Sequence, residues 1–164
     1  MRVFAFDPAD YRDTYAEQGW VHIKNGIDPE FFGELREFSE RSLAATKLDQ
    51  HAIKGKKEQS LYDFPPEVDF PDEAFDVVAA VTGLQREKMT LSERHIQAYE
   101  ASADPNPRAH KDRFPSQVSV GLSVAVPSES RLVLYPYDHR DVNPFNASAA
   151  LGRYLQDHEQ PDIV

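Results

Sequence analysis

No cysteine occurs anywhere in the chain. Disulfides and thiolate metal sites are therefore excluded, and any bound metal has to be held by histidine, aspartate or glutamate; a reducing compartment, the cytoplasm, is the matching expectation. Long apolar runs are missing as well. No stretch reaches the roughly 18 apolar residues of a membrane span, and the opening residues Met1, Arg2, Val3, Phe4, Ala5, Phe6 and Asp7 do not form the apolar core of a secretion signal. Basic residues are in short supply: lysine and arginine number 18 against 28 aspartates and glutamates, a formal charge of -10. That balance repels nucleic-acid phosphates and anionic membrane surfaces, so neither is an expected partner. No internal repeat or low-complexity tract is visible.

What the chain does have is side-chain bulk. Apolar residues make up 40% of it, with ten phenylalanines and seven tyrosines among 164 residues, enough to offset the entropy of ordering one domain-sized core. Tyr11 and Tyr15 stand at i, i+4 in a helical stretch from Pro8 to Gln18 that Gly19 ends. Residues 20–24 alternate apolar and polar, which predicts a strand with His22 facing out, and Asn25 and Gly26 supply a turn. Asp28 and Pro29 make an N-cap and first-turn pair for a helix whose apolar face is Phe31, Phe32, Leu35, Phe38 and Leu43.

Residues 44–70 contain a basic cluster at 54–57 and two prolines, Pro65 and Pro66, a composition that predicts an irregular segment or lid with a solvated basic turn. Residues 72–81 have a helical pattern closed by Gly83. Beyond Leu91 the period changes to two, predicting strands over 94–99, 117–126 and 131–135, the last after a turn at 127–130. Helices with one strand come first and a run of strands follows. The expectation is a single α+β domain over 1–164, with 1–90 as a helical layer and lid and 91–164 as the β part.

The loop at 104–109 delivers His110 and Asp112 to the start of the longest predicted strand. On an extended backbone, residues i and i+2 point to one face about 6.5 to 7 Å apart at their Cα atoms, so imidazole and carboxylate can converge on one ion. That donor pair suits a borderline divalent metal such as iron, and a second histidine completes a facial triad with three positions open. The tripeptide alone is common; its place at a loop-to-strand junction is what singles it out.

These residues make the chain resemble the non-haem Fe(II), 2-oxoglutarate-dependent dioxygenases, especially those similar to phytanoyl-CoA dioxygenase. Residues 15–27 look like the family's N-terminal helix, glycine-aromatic strand and turn; His110 and Asp112 match its H-x-D iron motif; and residues 134–140 look like a later proline-to-histidine segment, with Tyr137 and Asp138 where the family has glycine and serine. The resemblance implies a double-stranded β-helix (jelly roll or cupin-like), here partial. It implies Fe(II) as metal, 2-oxoglutarate as cosubstrate and hydroxylation of a small-molecule substrate. It covers only the first portion of the family pattern, because Val164 comes before the late strands that carry the distal histidine and the 2-oxoglutarate-binding arginine. His139 and His158 are the candidates for a third iron donor, and the alternative is a truncated or divergent chain in which the triad is incomplete.

Gln97 and Tyr99 lie on the strand before the motif, where the family uses a polar side chain for the cosubstrate; the rival expectation is a solvent-facing Gln97 and a core-packed Tyr99. His95 reads as an ordinary strand histidine. Arg113 and Arg131 could attract an acidic cosubstrate, or serve as the salt-bridge partner of Asp112 and as a turn residue. A half-barrel leaves an open sheet edge, which calls for a partner strand or a homodimer. The alternative function is therefore a non-catalytic or truncated oxygenase-fold protein acting as a binding or structural module.

Overall fold

The computed structural model describes residues 1–45, 49–50, 56–60, 64–66, 68–100, 117–134 and 162–163. The chain opens with an N-terminal segment that is part of the core: Val3 and Phe4 are buried. The Asp7 side chain accepts from the Ala9 amide at 2.9 Å and Pro8 follows it, so a short 3-10 helix, Pro8–Tyr11, starts there and runs into α1, Arg12–Gln18. Gly19 stops α1 in the left-handed region at φ 85°, its amide donating to the Tyr15 carbonyl at 2.8 Å.

Residues 20–24 form no strand, contrary to the expectation from their alternation. His22 is exposed as expected, but the backbone that pairs with the N-terminal segment comes later. Phe4 bridges Ile27, the Ala5 amide donates to the Gly26 carbonyl at 2.9 Å, and the Asp28 amide donates to the Val3 carbonyl at 2.8 Å. A strand needs a ladder partner as well as a pattern. The turn before this bridge holds Asn25 at φ 56°, and Gly26 allows the close approach, since a Cβ there would lie 2.6 Å from the Ile23 side chain.

Helix α2 spans Pro29–Ala45. The Asp28 carboxylate caps it, accepting from the Glu30 and Phe31 amides at 2.9 and 3.4 Å. Its buried line is Phe31, Leu35 and Ser39, an i, i+4, i+8 stripe; Phe32, Phe38 and Leu43 are half-buried. Helix α3, Phe70–Thr82, is capped by Asp69, which accepts from the Asp72 amide at 3.1 Å, and ended by Gly83 at φ 76°. A second 3-10 helix, Arg86–Lys88, folds back along α3 so that the Arg86 guanidinium donates to the Asp72 and Asp76 carboxylates, with the Phe75 ring 6.0 Å away.

The core is aromatic. Phe64 stacks on Phe70 with ring centroids 3.9 Å apart, Phe31 stacks on Phe70 at 6.0 Å, and Phe4 meets Phe6 and Phe70 at 5.7 and 6.1 Å. The Glu73 carboxylate, in the first turn of α3, locks the N-terminal segment onto this cluster. It accepts from the Val3 amide at 3.0 Å to each oxygen and from the Phe4 amide at 3.1 Å. Leu122 and Val124 pack against the cluster from the second half of the chain.

Two short sheets accompany the helices. Strands β1 (Asp49–Gln50), β2 (Lys56–Ser60) and β3 (His95–Tyr99) form an antiparallel sheet in that order, and β4 (Val133–Leu134) pairs antiparallel with β5 (Asp162–Ile163). The segment expected to be an irregular lid, 44–70, thus contributes two strands, and β2 carries Lys56 and Lys57 of the basic cluster. The long strand expected over 117–126 is not formed. Those residues join no ladder among the described residues and bend at 124–125, with Leu122 and Val124 held by core contact instead. Of the strand expected over 131–135, residues 133–134 form β4, 131–132 join no ladder among the described residues and 135 lies outside them, while the turn before it closes as expected through a Ser130 amide bond to the Pro127 carbonyl at 3.0 Å. No helix among the described residues is long and apolar enough to cross a membrane.

Candidate functional site

The site builds up from β3. Strand parity puts His95, Gln97 and Tyr99 on its exposed face and Ile96 and Ala98 on the half-buried one. Gln97 faces solvent as expected, but Tyr99 does not enter the core. It is 56% exposed, because a residue two places along a strand shares its neighbour's face and cannot be core while Gln97 is surface.

The three side chains are joined. The Tyr99 hydroxyl donates to Gln97 Oε1 at 3.2 Å, and Gln97 Nε2 lies 2.8 Å from His95 Nε2. Across the ladder, Ser60, Glu58 and Lys56 are the partners of His95, Gln97 and Tyr99, and Asp49 is the partner of Glu58. A carboxamide and a phenol side by side are groups that can hydrogen-bond a carboxylate, although here the phenol O–H donates to the carboxamide. His95, read from the sequence as an ordinary strand histidine, belongs to this row; its i, i+2, i+4 relation to Gln97 and Tyr99 was the available signal.

His110, Asp112, Arg113, His139 and His158 lie outside the described residues. Among the described residues no group of three or more histidine, aspartate or glutamate side chains is arranged to hold a metal ion. Arg131 is described, and it serves the turn: its guanidinium donates to the carbonyls of Ser128 and Ser130, the latter at 2.7 Å. In the same turn the Ser128 hydroxyl donates to Glu129 at 2.9 Å and holds that carboxyl below its usual range.

Two open clefts lie near β3 and α3. One, of about 490 Å³, is walled by Phe64, Pro65, Pro66, Val68 and Pro71, with Arg94 at its side. The other, of about 470 Å³, lies beyond the C-terminus of α3 between Gly83, Lys88, Met89 and Gln117. Arg94 immediately precedes β3 and shares the parity of Ile96, so the first cleft opens on the opposite side of the strand from Gln97 and Tyr99. Comparison with family models, curated proteins and solved structures finds no match for the chain.

Proposed function

We propose that this is an Fe(II)- and 2-oxoglutarate-dependent oxygenase-like protein of the cytoplasm, built on a partial double-stranded β-helix with an N-terminal helical layer. His110 and Asp112 hold the iron, with His139 and His158 as the candidates for a third donor if the triad is complete. The observation that carries the proposal is the imidazole and carboxylate two places apart in the sequence, following a strand whose exposed face presents a bonded carboxamide and phenol. The described residues fit the cosubstrate's chemistry: Gln97 and Tyr99 supply donors that orient a carboxylate. When bound, the iron supplies the oxidative decarboxylation of 2-oxoglutarate that drives hydroxylation of a small-molecule C–H bond. The chain's own residues bind, orient and shield the reactants.

The test is turnover of the cosubstrate. Purified protein with Fe(II), ascorbate and oxygen is expected to convert 2-oxoglutarate to succinate, and Gln97→Ala combined with Tyr99→Phe is expected to raise KM for 2-oxoglutarate about tenfold, on the order of 1.4 kcal/mol. Succinate formation that is nil, or unaltered when His110 and Asp112 are both replaced by alanine, removes the enzymatic proposal.

A second reading has its own observation. Val120, Val126 and Leu132, none of which joins a ladder among the described residues, are 53%, 58% and 60% exposed. Apolar side chains on strand-competent backbone suit burial against another polypeptide. On that reading the chain is a non-catalytic binding module on the same scaffold, pairing with a second copy of itself. Sedimentation velocity separates the two: a dimer dispersed by Val120→Lys and Val126→Lys supports the module, and a monomer at all concentrations rejects it.

A further inference from the structure

We infer that His95 orients the Gln97 carboxamide, and that protonation of its imidazole reverses the direction of the hydrogen-bonded row His95, Gln97, Tyr99. The meaning of this for 2-oxoglutarate rests on the proposed function; the row itself rests only on the geometry of β3. An amide nitrogen donates and cannot accept. Its 2.8 Å approach to His95 Nε2 therefore makes that nitrogen the acceptor and places the ring proton on Nδ1, the neutral tautomer. On the other side Gln97 Oε1 accepts from the Tyr99 hydroxyl at 3.2 Å. Donation runs in one direction, from Tyr99 through Gln97 to His95.

A proton taken from solvent onto Nε2 turns the acceptor into a second donor, which the amide nitrogen cannot meet. A half-turn of the carboxamide about its terminal bond restores both contacts. Oε1 then accepts from the imidazolium, and the amide nitrogen donates to the Tyr99 oxygen, which becomes an acceptor. One proton is gained and no covalent bond changes. In the reversed state the row carries a positive charge and the Tyr99 O–H no longer donates to Gln97, so it can turn to a carboxylate; both favour a carboxylate ligand.

The ladder register and the chain neighbours name the other titratable residues along the row. Across the ladder Glu58 and Lys56 pair with Gln97 and Tyr99, Asp49 pairs with Glu58, Arg94 precedes the strand and Glu100 follows it. Carboxylates, ammonium and guanidinium groups ordinarily titrate outside the interval from pH ~5 to ~8 in which imidazole changes charge.

The test is NMR on the full chain with glutamine side chains labelled with 15N, without iron or 2-oxoglutarate, the Gln97 signals being assigned by their loss in Gln97→Glu. Between pH ~8 and ~5 the Gln97 carboxamide signals are expected to move with the same midpoint as the His95 ring. His95→Phe and His95→Asn are each expected to abolish that movement, with the rest of the amide spectrum preserved, while Glu58→Gln leaves it in place. Gln97 signals that do not move, or that move equally in both His95 variants, overturn the inference. Because no metal or cosubstrate is present, this result and the result for 2-oxoglutarate turnover fail independently.

Discussion

Two amide N–H groups of the N-terminal segment depend on one side chain. Val3 and Phe4 are buried, and both donate to the Glu73 carboxylate. Removing that acceptor strands donors away from water, at a cost of about 1–3 kcal/mol. Glu73→Ala is therefore expected to lower the unfolding free energy from urea denaturation by that much, and Glu73→Gln, which keeps one oxygen, by less; an unchanged free energy in the alanine variant would contradict the assigned contact. Tyr15 gives a pH dependence. Burial raises its hydroxyl above the ordinary tyrosine range, so the folded chain holds the phenol proton more tightly than the unfolded one. That contribution is complete below pH ~10 and is lost as pH climbs from there to the raised folded value, because the unfolded state ionises first. Thermal melts of Tyr15→Phe should show a shallower alkaline decline than the wild type, and parallel declines would contradict this.

Helix ends and helix interiors make opposite demands on glycine. Gly33 lies inside α2 with nothing within 4 Å of where a Cβ would stand, whereas Gly83 closes α3 at φ 76° with the Arg12 guanidinium 3.2 Å from that point. Gly33→Ala is expected to stabilise by about 0.5–1 kcal/mol and Gly83→Ala to destabilise by about 1–2 kcal/mol; chemical denaturation that gives both the same sign would refute the assignment. Several of these boundaries were legible in the sequence because capping is local: Asp28 with Pro29 opens α2, and Gly19 and Gly83 stop α1 and α3; the expected start of the third helix, at 72, falls two residues inside the observed one because the Asp69 cap precedes it. The strands were not. Lys56–Ser60 is wholly polar and becomes a strand because β3 is there to pair with it, while residues 117–126 alternate well and join no ladder among the described residues. Pairing is non-local, so alternation by itself misleads. The row on β3 was half legible: parity along the strand could have placed His95, Gln97 and Tyr99 together, but the direction of their hydrogen bonds needs coordinates.

Over the whole molecule, one aromatic cluster connects segments far apart in sequence. Phe70 touches rings from the N-terminal segment, from α2 and from the stretch before α3, and Leu122 and Val124 close over the cluster. Phe70→Ala is expected to cost about 3–5 kcal/mol and to lower protection from hydrogen exchange in α2 and α3 together; loss confined to α3 would show that the cluster is not one cooperative unit. The three-stranded sheet likewise joins the two parts of the chain. Its first two strands come from the part whose composition suggested only helices, one strand and a lid, and its third is the strand that bears the candidate cosubstrate row. Helical layer and β part are thus coupled through the sheet as well as the core. In the oxygenase proposal His110 and Asp112 follow that sheet in the chain, and their shared ion is its central claim. Equilibrium dialysis of Fe(II) under anaerobic conditions at neutral pH tests it most directly. The proposal predicts one iron per chain, with affinity reduced at least tenfold by His110→Ala or Asp112→Ala alone; iron retained undiminished when both are replaced would contradict it.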